Sequence, residues 1–178
     1  MLTYQSDDGI VQVWKFLTSL WPIGGGVEVV YAQENGVTLP QDPCIMLNTI
    51  STKRLDYNTH RMSADTSTQE LTITQQVEVH LQLDFFGSGA QSRLSQFTTL
   101  WQDAYAFDWF KANNLTARPL YARERNQVQF INESDNFEQR WTCDAALQIA
   151  QSVTVPQDSA IYPGDIGFVE VDGQYPKP

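Results

Sequence analysis

The residues of this chain that could do chemistry are few and scattered. It has two histidines, His60 and His80, and two cysteines, Cys44 and Cys143. His60 falls in a polar stretch and His80 on the polar side of an alternating run, and neither belongs to a His-Glu-x-x-His or similar ligand set. A nucleophilic triad needs a serine or cysteine presented beside a histidine. No Gly-x-Ser-x-Gly elbow occurs, and each cysteine sits inside a strand-like run, where it behaves as a small buried hydrophobe. Gly87-Ser-Gly89 separates a strand from a helix, as a dinucleotide fingerprint would, but Ser92 stands where the third glycine belongs. It reads as a tight turn in which Ser88 caps the following helix. Gly24-Gly25-Gly26 lacks the Lys-Ser/Thr of a phosphate loop and reads as a turn. Asp84, Asp103, Asp108 and Asp144 are the acids embedded in regular elements, and their spacing selects no catalytic pair. Arg118, Arg123 and Arg125 form the one local basic cluster, suited to an ionic contact with an acidic neighbouring subunit. No catalytic, cofactor-binding or metal-binding residues are assigned.

The elements that must position these groups follow from periodicity. Ile10, Val13, Trp14, Leu17 and Trp21 recur at helical spacing and predict a helix over Asp8–Leu20, stopped by Pro22 and the three glycines. Val27–Tyr31 and Cys44–Leu55 read as strands, separated by a loop from Gln33 to Pro43. Asp56–Thr68 is polar and aperiodic. In Val77-Glu-Val-His-Leu-Gln-Leu-Asp-Phe85 apolar and polar residues alternate strictly, which extends back to Glu70 as one long strand with one buried face. Leu94, Phe97, Leu100, Trp101, Ala104, Tyr105 and Asp108 predict a single helix from Ala90 to Asn113. Arg118–Ala122 is a short extended piece and Gln127–Asn132 a turn. A last strand from Phe137 to Val153 places Trp141, Cys143, Ala145, Leu147 and Ile149 on one face. The order implies an α+β fold, a mainly antiparallel sheet of long strands flanked on one side by two principal helices. Residues 1–160 form one domain, and 161–178 an extended C-terminal tail whose Phe168, Val169 and Val171 either fold back or add a strand to a neighbour.

The whole-chain balance agrees with an absence of chemistry. Eleven Lys and Arg face 21 Asp and Glu, giving a net charge of −10, which disfavours a phosphate-binding face. The outward strand positions carry many of the 18 glutamines, a polar but weakly charged surface. No run approaches the ~20 apolar residues that span a bilayer, and Asp7, Asp8 and Lys15 interrupt any signal-peptide core. These features lead us to expect a protein made in a cytoplasm, without membrane contact.

One ordered series of short segments is more specific. Gln76-Val-Glu-Val-His-Leu-Gln-Leu-Asp-Phe-Phe-Gly87 enters a helix bearing Phe97, Leu100 and Trp101. Arg118-Pro-Leu-Tyr121, Phe130-Ile-Asn132, Phe137-Glu-Gln-Arg-Trp141 and Thr154-Val-Pro-Gln-Asp158 follow. The series resembles the bacteriophage neck and tail terminator proteins over roughly residues 10–160, with the last twenty residues unmatched. The resemblance implies a virion protein that forms a ring, commonly hexameric. Such a ring completes the tail tube and contacts the head-tail connector, and DNA passes through its channel unprocessed. It implies no catalytic residues and no cofactor. Two other readings stand beside it: another tube, connector or baseplate subunit, and a small enzyme using a carboxylate pair.

Overall fold

The computed structural model describes residues 3–6, 8–22, 24, 26–32, 40, 42–63, 70–131 and 137–156. The first helix, α1 (Gly9–Leu20), starts where the Asp8 carboxylate accepts a hydrogen bond from the Ile10 amide at 3.2 Å. Its inward face is centred on Val13, Phe16 and Leu17, with Ile10, Trp14 and Trp21 on the flanks of the core. Phe16, absent from the predicted stripe, is the hub of the interior. Its ring lies 5.2–6.5 Å from those of Phe97, Trp101, Trp109 and Phe110.

Among the described residues seven strands form one sheet: β1 (Thr3–Ser6), β2 (Glu28–Tyr31), β3 (Cys44–Arg54), β4 (Thr59–Met62), β5 (Glu70–Phe86), β6 (Arg118–Ile131) and β7 (Phe137–Pro156). Its axis is the antiparallel pair β5 and β7, in register from Glu70 opposite Pro156 to Phe86 opposite Arg140. On the outer side of β5, β3 pairs along Val77–Phe85 and β4 along Leu71–Thr74. On the outer side of β7, β6 pairs along Phe137–Gln148 and β1 along Gln151–Thr154. The sheet thus has a body ordered β2-β3-β5-β7-β6 and an arm ordered β4-β5-β7-β1. All pairs are antiparallel except β2 with β3. The fold is α+β, as expected.

The alternation of β5 and β7 decides where the core lies. Val77, Val79, Leu81, Leu83 and Phe85 face the same side as Ile149, Leu147, Ala145, Cys143 and Trp141, and the helices cover that side. At about 3.3 Å per residue the 20 residues of β7 extend on the order of 65 Å, far beyond what three short helices cover. The outer ends of β5 and β7 therefore leave the helical layer and become the arm.

Four expectations need correction. The helix predicted over Ala90–Asn113 is two helices, α2 (Ala90–Trp101) and α3 (Ala104–Ala112). Asp103 breaks it by accepting from the Tyr105 amide at 2.9 Å, a local bond that competes with the helical ladder. The break resets the phase. Ala106 and Phe110 turn inward, while Ala104, Tyr105 and Asp108 are exposed. Ser88 does not cap α2. The N-cap is Gly89 at φ 78°, and Arg93 closes the turn by donating to the carbonyls of Phe86 (2.8 Å) and Ser88 (2.9 Å). The short extended piece and the turn after Arg118 are one strand, β6, whose shifts at Pro119/Tyr121 and Glu124/Gln127 interrupt its period of two. The polar stretch after Asp56 contains β4.

Candidate functional site: the open sheet face and the two sheet edges

The face of the sheet opposite the helices carries the polar residues of the alternating strands, and they bond to one another. The Asp84 carboxylate accepts from Arg140 Nε and Nη2 (3.2 and 3.1 Å), from Thr142 Oγ1 (2.6 Å) and from Gln82 Nε2 (3.1 Å). Further along β5, Glu78 accepts from the Tyr121 phenol at 2.7 Å, and His80 Nε2 stands 3.4 Å from the same carboxylate oxygen. That hydrogen bond, with burial and the negative charge of Glu78, raises the Tyr121 phenol above its ordinary pKa. Towards the arm, Gln148 bonds Gln76 at 3.1 Å. Thr74 pairs with Ser152 at 2.9 Å, and Thr72 with Thr154 at 3.3 Å. The result is a polar surface whose acids are already engaged by neighbours within the chain.

The arginines of the expected basic cluster lie along β6. The Arg118 guanidinium lies 5.2 Å from the centroid of the Phe107 ring on α3 and donates to the Leu115 carbonyl at 3.4 Å. Arg123 lies over Tyr121 at 5.0 Å and is opposite Asp144 in register. Arg125 falls within the second irregularity of β6. Phe168, Val169 and Val171 lie outside the described residues.

The four embedded acids do not converge on a pocket. Asp84 is held by Arg140, Asp103 caps α3, Asp108 is exposed on α3, and Asp144 lies opposite Gln82 on the open sheet. An open cavity of about 520 Å³ lies by β2, lined by Trp14, Thr18, Val27, Glu28, Asp42 and Pro43 among others, and includes none of these four. Among the described residues no group of three or more His, Cys, Asp or Glu side chains could hold a metal ion. Among them, too, no helix is long and apolar enough to cross a membrane. Cys44 is buried, and burial with the nearby Asp42 and Glu28 pushes its thiol up to about 12. A thiol so held is unsuited to nucleophilic work.

Sequence reasoning missed the exposed apolar surface. Ile50, Leu55, Tyr57 and Met62 are exposed along β3 and β4, and Tyr105, Phe107 and Leu120 along α3 and the start of β6. Their types signal burial, so only the strand order could reveal that they lie at edges.

No curated protein matches this sequence. The family model described as phage neck terminator protein matches residues 9–177, and so continues through the C-terminal segment that the sequence resemblance leaves unmatched. The chain belongs to the phage neck terminator family and is a structural component of the phage neck and virion.

Proposed function

We propose that copies of this chain close into a ring, a hexamer, that completes the tail tube at the neck and joins it to the head connector. DNA passes through the channel without sequence-specific binding. The carrying observation is the family match over residues 9–177, nearly the whole chain. The net charge of −10 supports the second half of the reading, because an acidic channel wall repels the phosphate backbone and lets it slide. In this reading residues 1–160 form the ring-building domain. Residues 161–178, with Phe168, Val169 and Val171, reach a neighbouring subunit, and Arg118, Arg123 and Arg125 contribute ionic contacts between subunits. The protein is made in the host cytoplasm, acts by assembly and needs no cofactor.

Native mass spectrometry of the full chain across a concentration series tests the ring. A closed species at six times 20.2 kDa is expected, capped onto tail tubes when these are added. Open filaments would replace the terminator reading with that of a tube subunit. A chain that stays monomeric and also fails to bind tail tubes would remove it.

A further inference from the structure

The ring reading leaves open which surfaces meet, and the distribution of exposed apolar side chains addresses that question. Among the described residues, seven large apolar side chains are exposed, and they form two groups. Ile50, Leu55, Tyr57 and Met62 belong to the outer edge formed by β3 and β4. Pairing of β3 with β2 stops at Leu47, the residues from Thr49 to Arg54 are all exposed, and β4 pairs with β5. Tyr105, Phe107 and Leu120 belong to α3 and β6, the opposite edge of the body. The strands β5 and β7 separate the two groups.

Two unlike patches on opposite edges suit head-to-tail association. A twofold contact would match one patch with itself and leave the other in water, whereas pairing one with the other repeats from copy to copy and gives a ring when the rotation between copies closes. Charge does not oppose this pairing. Residues 50–62 hold Lys53, Arg54 and Arg61 against Asp56, a net of 3 − 1 = +2 in a chain of net −10. On α3, Asp103 and Asp108 flank Tyr105 and Phe107, and Lys111 and Arg118 stand nearby. The two aromatic rings can also receive guanidinium groups, as Phe107 already does from Arg118. Simple strand addition is disfavoured at both edges. Pro119 and two register shifts interrupt β6, and a shift between Thr49 and Ser51 interrupts β3.

We infer that the Ile50–Met62 edge of one copy docks, side chain to side chain, on the Tyr105, Phe107 and Leu120 patch of the next copy. The inference rests on the ring reading. Tyr57 is 86% exposed and Phe107 44%, so Tyr57→Glu and Phe107→Glu are expected to keep the fold, checked by circular dichroism and melting. Each alone is expected to weaken assembly of the full chain by about tenfold or more, as a charge placed in an apolar contact does.

Tyr57→Cys and Phe107→Cys variants then read the geometry directly, since the native Cys44 and Cys143 are buried. Under mild oxidation a disulfide-linked dimer is expected when the two variants are mixed, and not from either alone. Cross-linking of either variant with itself, or assembly at wild-type strength by both glutamate variants, would overturn the assignment while leaving the ring intact. Wild-type chain that never associates, alone or on tail tubes, would remove the ring and this contact together.

Discussion

Replacing Asp84 with alanine tests whether the open sheet face is held together by its own polar network. The Asp84 side chain is 10% exposed and its carboxylate takes four hydrogen bonds, two of them from Arg140. Removing it affects these donors unequally. The Arg140 side chain is 27% exposed and can turn to water, so its share is discounted to about 1 kcal/mol or less. The Thr142 hydroxyl is buried and loses a 2.6 Å acceptor, a cost of about 1–3 kcal/mol. The total comes to about 1–4 kcal/mol, or about 2–16 °C in melting temperature for a domain of this size.

Urea denaturation at one low protein concentration is the appropriate assay, because association between copies adds to apparent stability. Arg140→Met is the complementary change. It leaves a buried carboxylate with neutral donors only, and its cost should be at least as large as that of Asp84→Ala. The double variant should recover part of the sum, since groups in one network couple by about 0.5–3 kcal/mol. A loss below about 0.5 kcal/mol for Asp84→Ala, with additive double-variant behaviour, would refute the claim that these bonds hold the face.

Other expectations can be checked on the same preparation. Gln12 of α1 accepts from the buried Ala117 amide at 2.9 Å and donates to Thr116 at 3.1 Å, so Gln12→Leu should cost about 1–3 kcal/mol in urea denaturation. Gly87 has φ 79°, and a Cβ there would meet Asp42 at 3.1 Å and the Pro43 backbone at 3.3 Å; Gly87→Ala should cost about 1–3 kcal/mol by thermal melting. The Cys44 thiol is pushed up to about 12 and Cys143 is fully buried, so a thiol reagent near pH 8 should modify neither in the native chain and both in denaturant. Tyr121 has a folded pKa raised above 10.0, so its contribution is complete below that pH and is lost as pH rises through the folded value. The wild type should lose more stability in alkali than Tyr121→Phe, read as the urea midpoint against pH.

What the sequence discloses depends on whether a residue's neighbours are local. The strict alternation of Val77 to Phe85 and of Trp141 to Ile149 locates the two axial strands and their buried face. Asp8 and Pro22 bracket α1 because capping and helix breaking act over a few residues. The break at Asp103 is not legible in this way. A helix continued through it would place Ala104 and Tyr105 inward, while the actual restart places Ala106 and Phe110 there, and both choices offer apolar residues. The same phase error hid Tyr105 as an edge residue. Simple alternation would put Arg118 and Arg123, five residues apart, on opposite faces of β6, whereas the shift at Pro119/Tyr121 sets them opposite Gln148 and Asp144, two even-numbered residues of β7, which local pattern cannot foresee. Ile50 and Leu55 look like core residues, and only the end of β2 at Tyr31, opposite Leu47, leaves the edge beyond it uncovered.

The division of surfaces narrows how this family member can assemble. One face of the sheet is covered by α1, α2 and α3 and closed around Phe16, Phe97, Trp101 and Phe110. The opposite face bears Asp84 and Glu78, whose carboxylates are already bonded to Arg140, Thr142 and Tyr121, and a ladder of Thr, Ser and Gln pairs. Docking an apolar partner on that face would desolvate charged groups without offering them anything better. The edges carry charges too, Lys53, Arg54, Asp103 and Asp108 among them, but there Tyr57, Met62, Tyr105 and Phe107 also expose apolar surface that association would remove from water. In the proposed ring, contact through the edges leaves each open polar face free for the channel or for the proteins above and below. A single glutamate at either edge should then weaken the ring by about tenfold or more, while a substitution such as Gln148→Ala on the open face should leave the ring mass unchanged in native mass spectrometry.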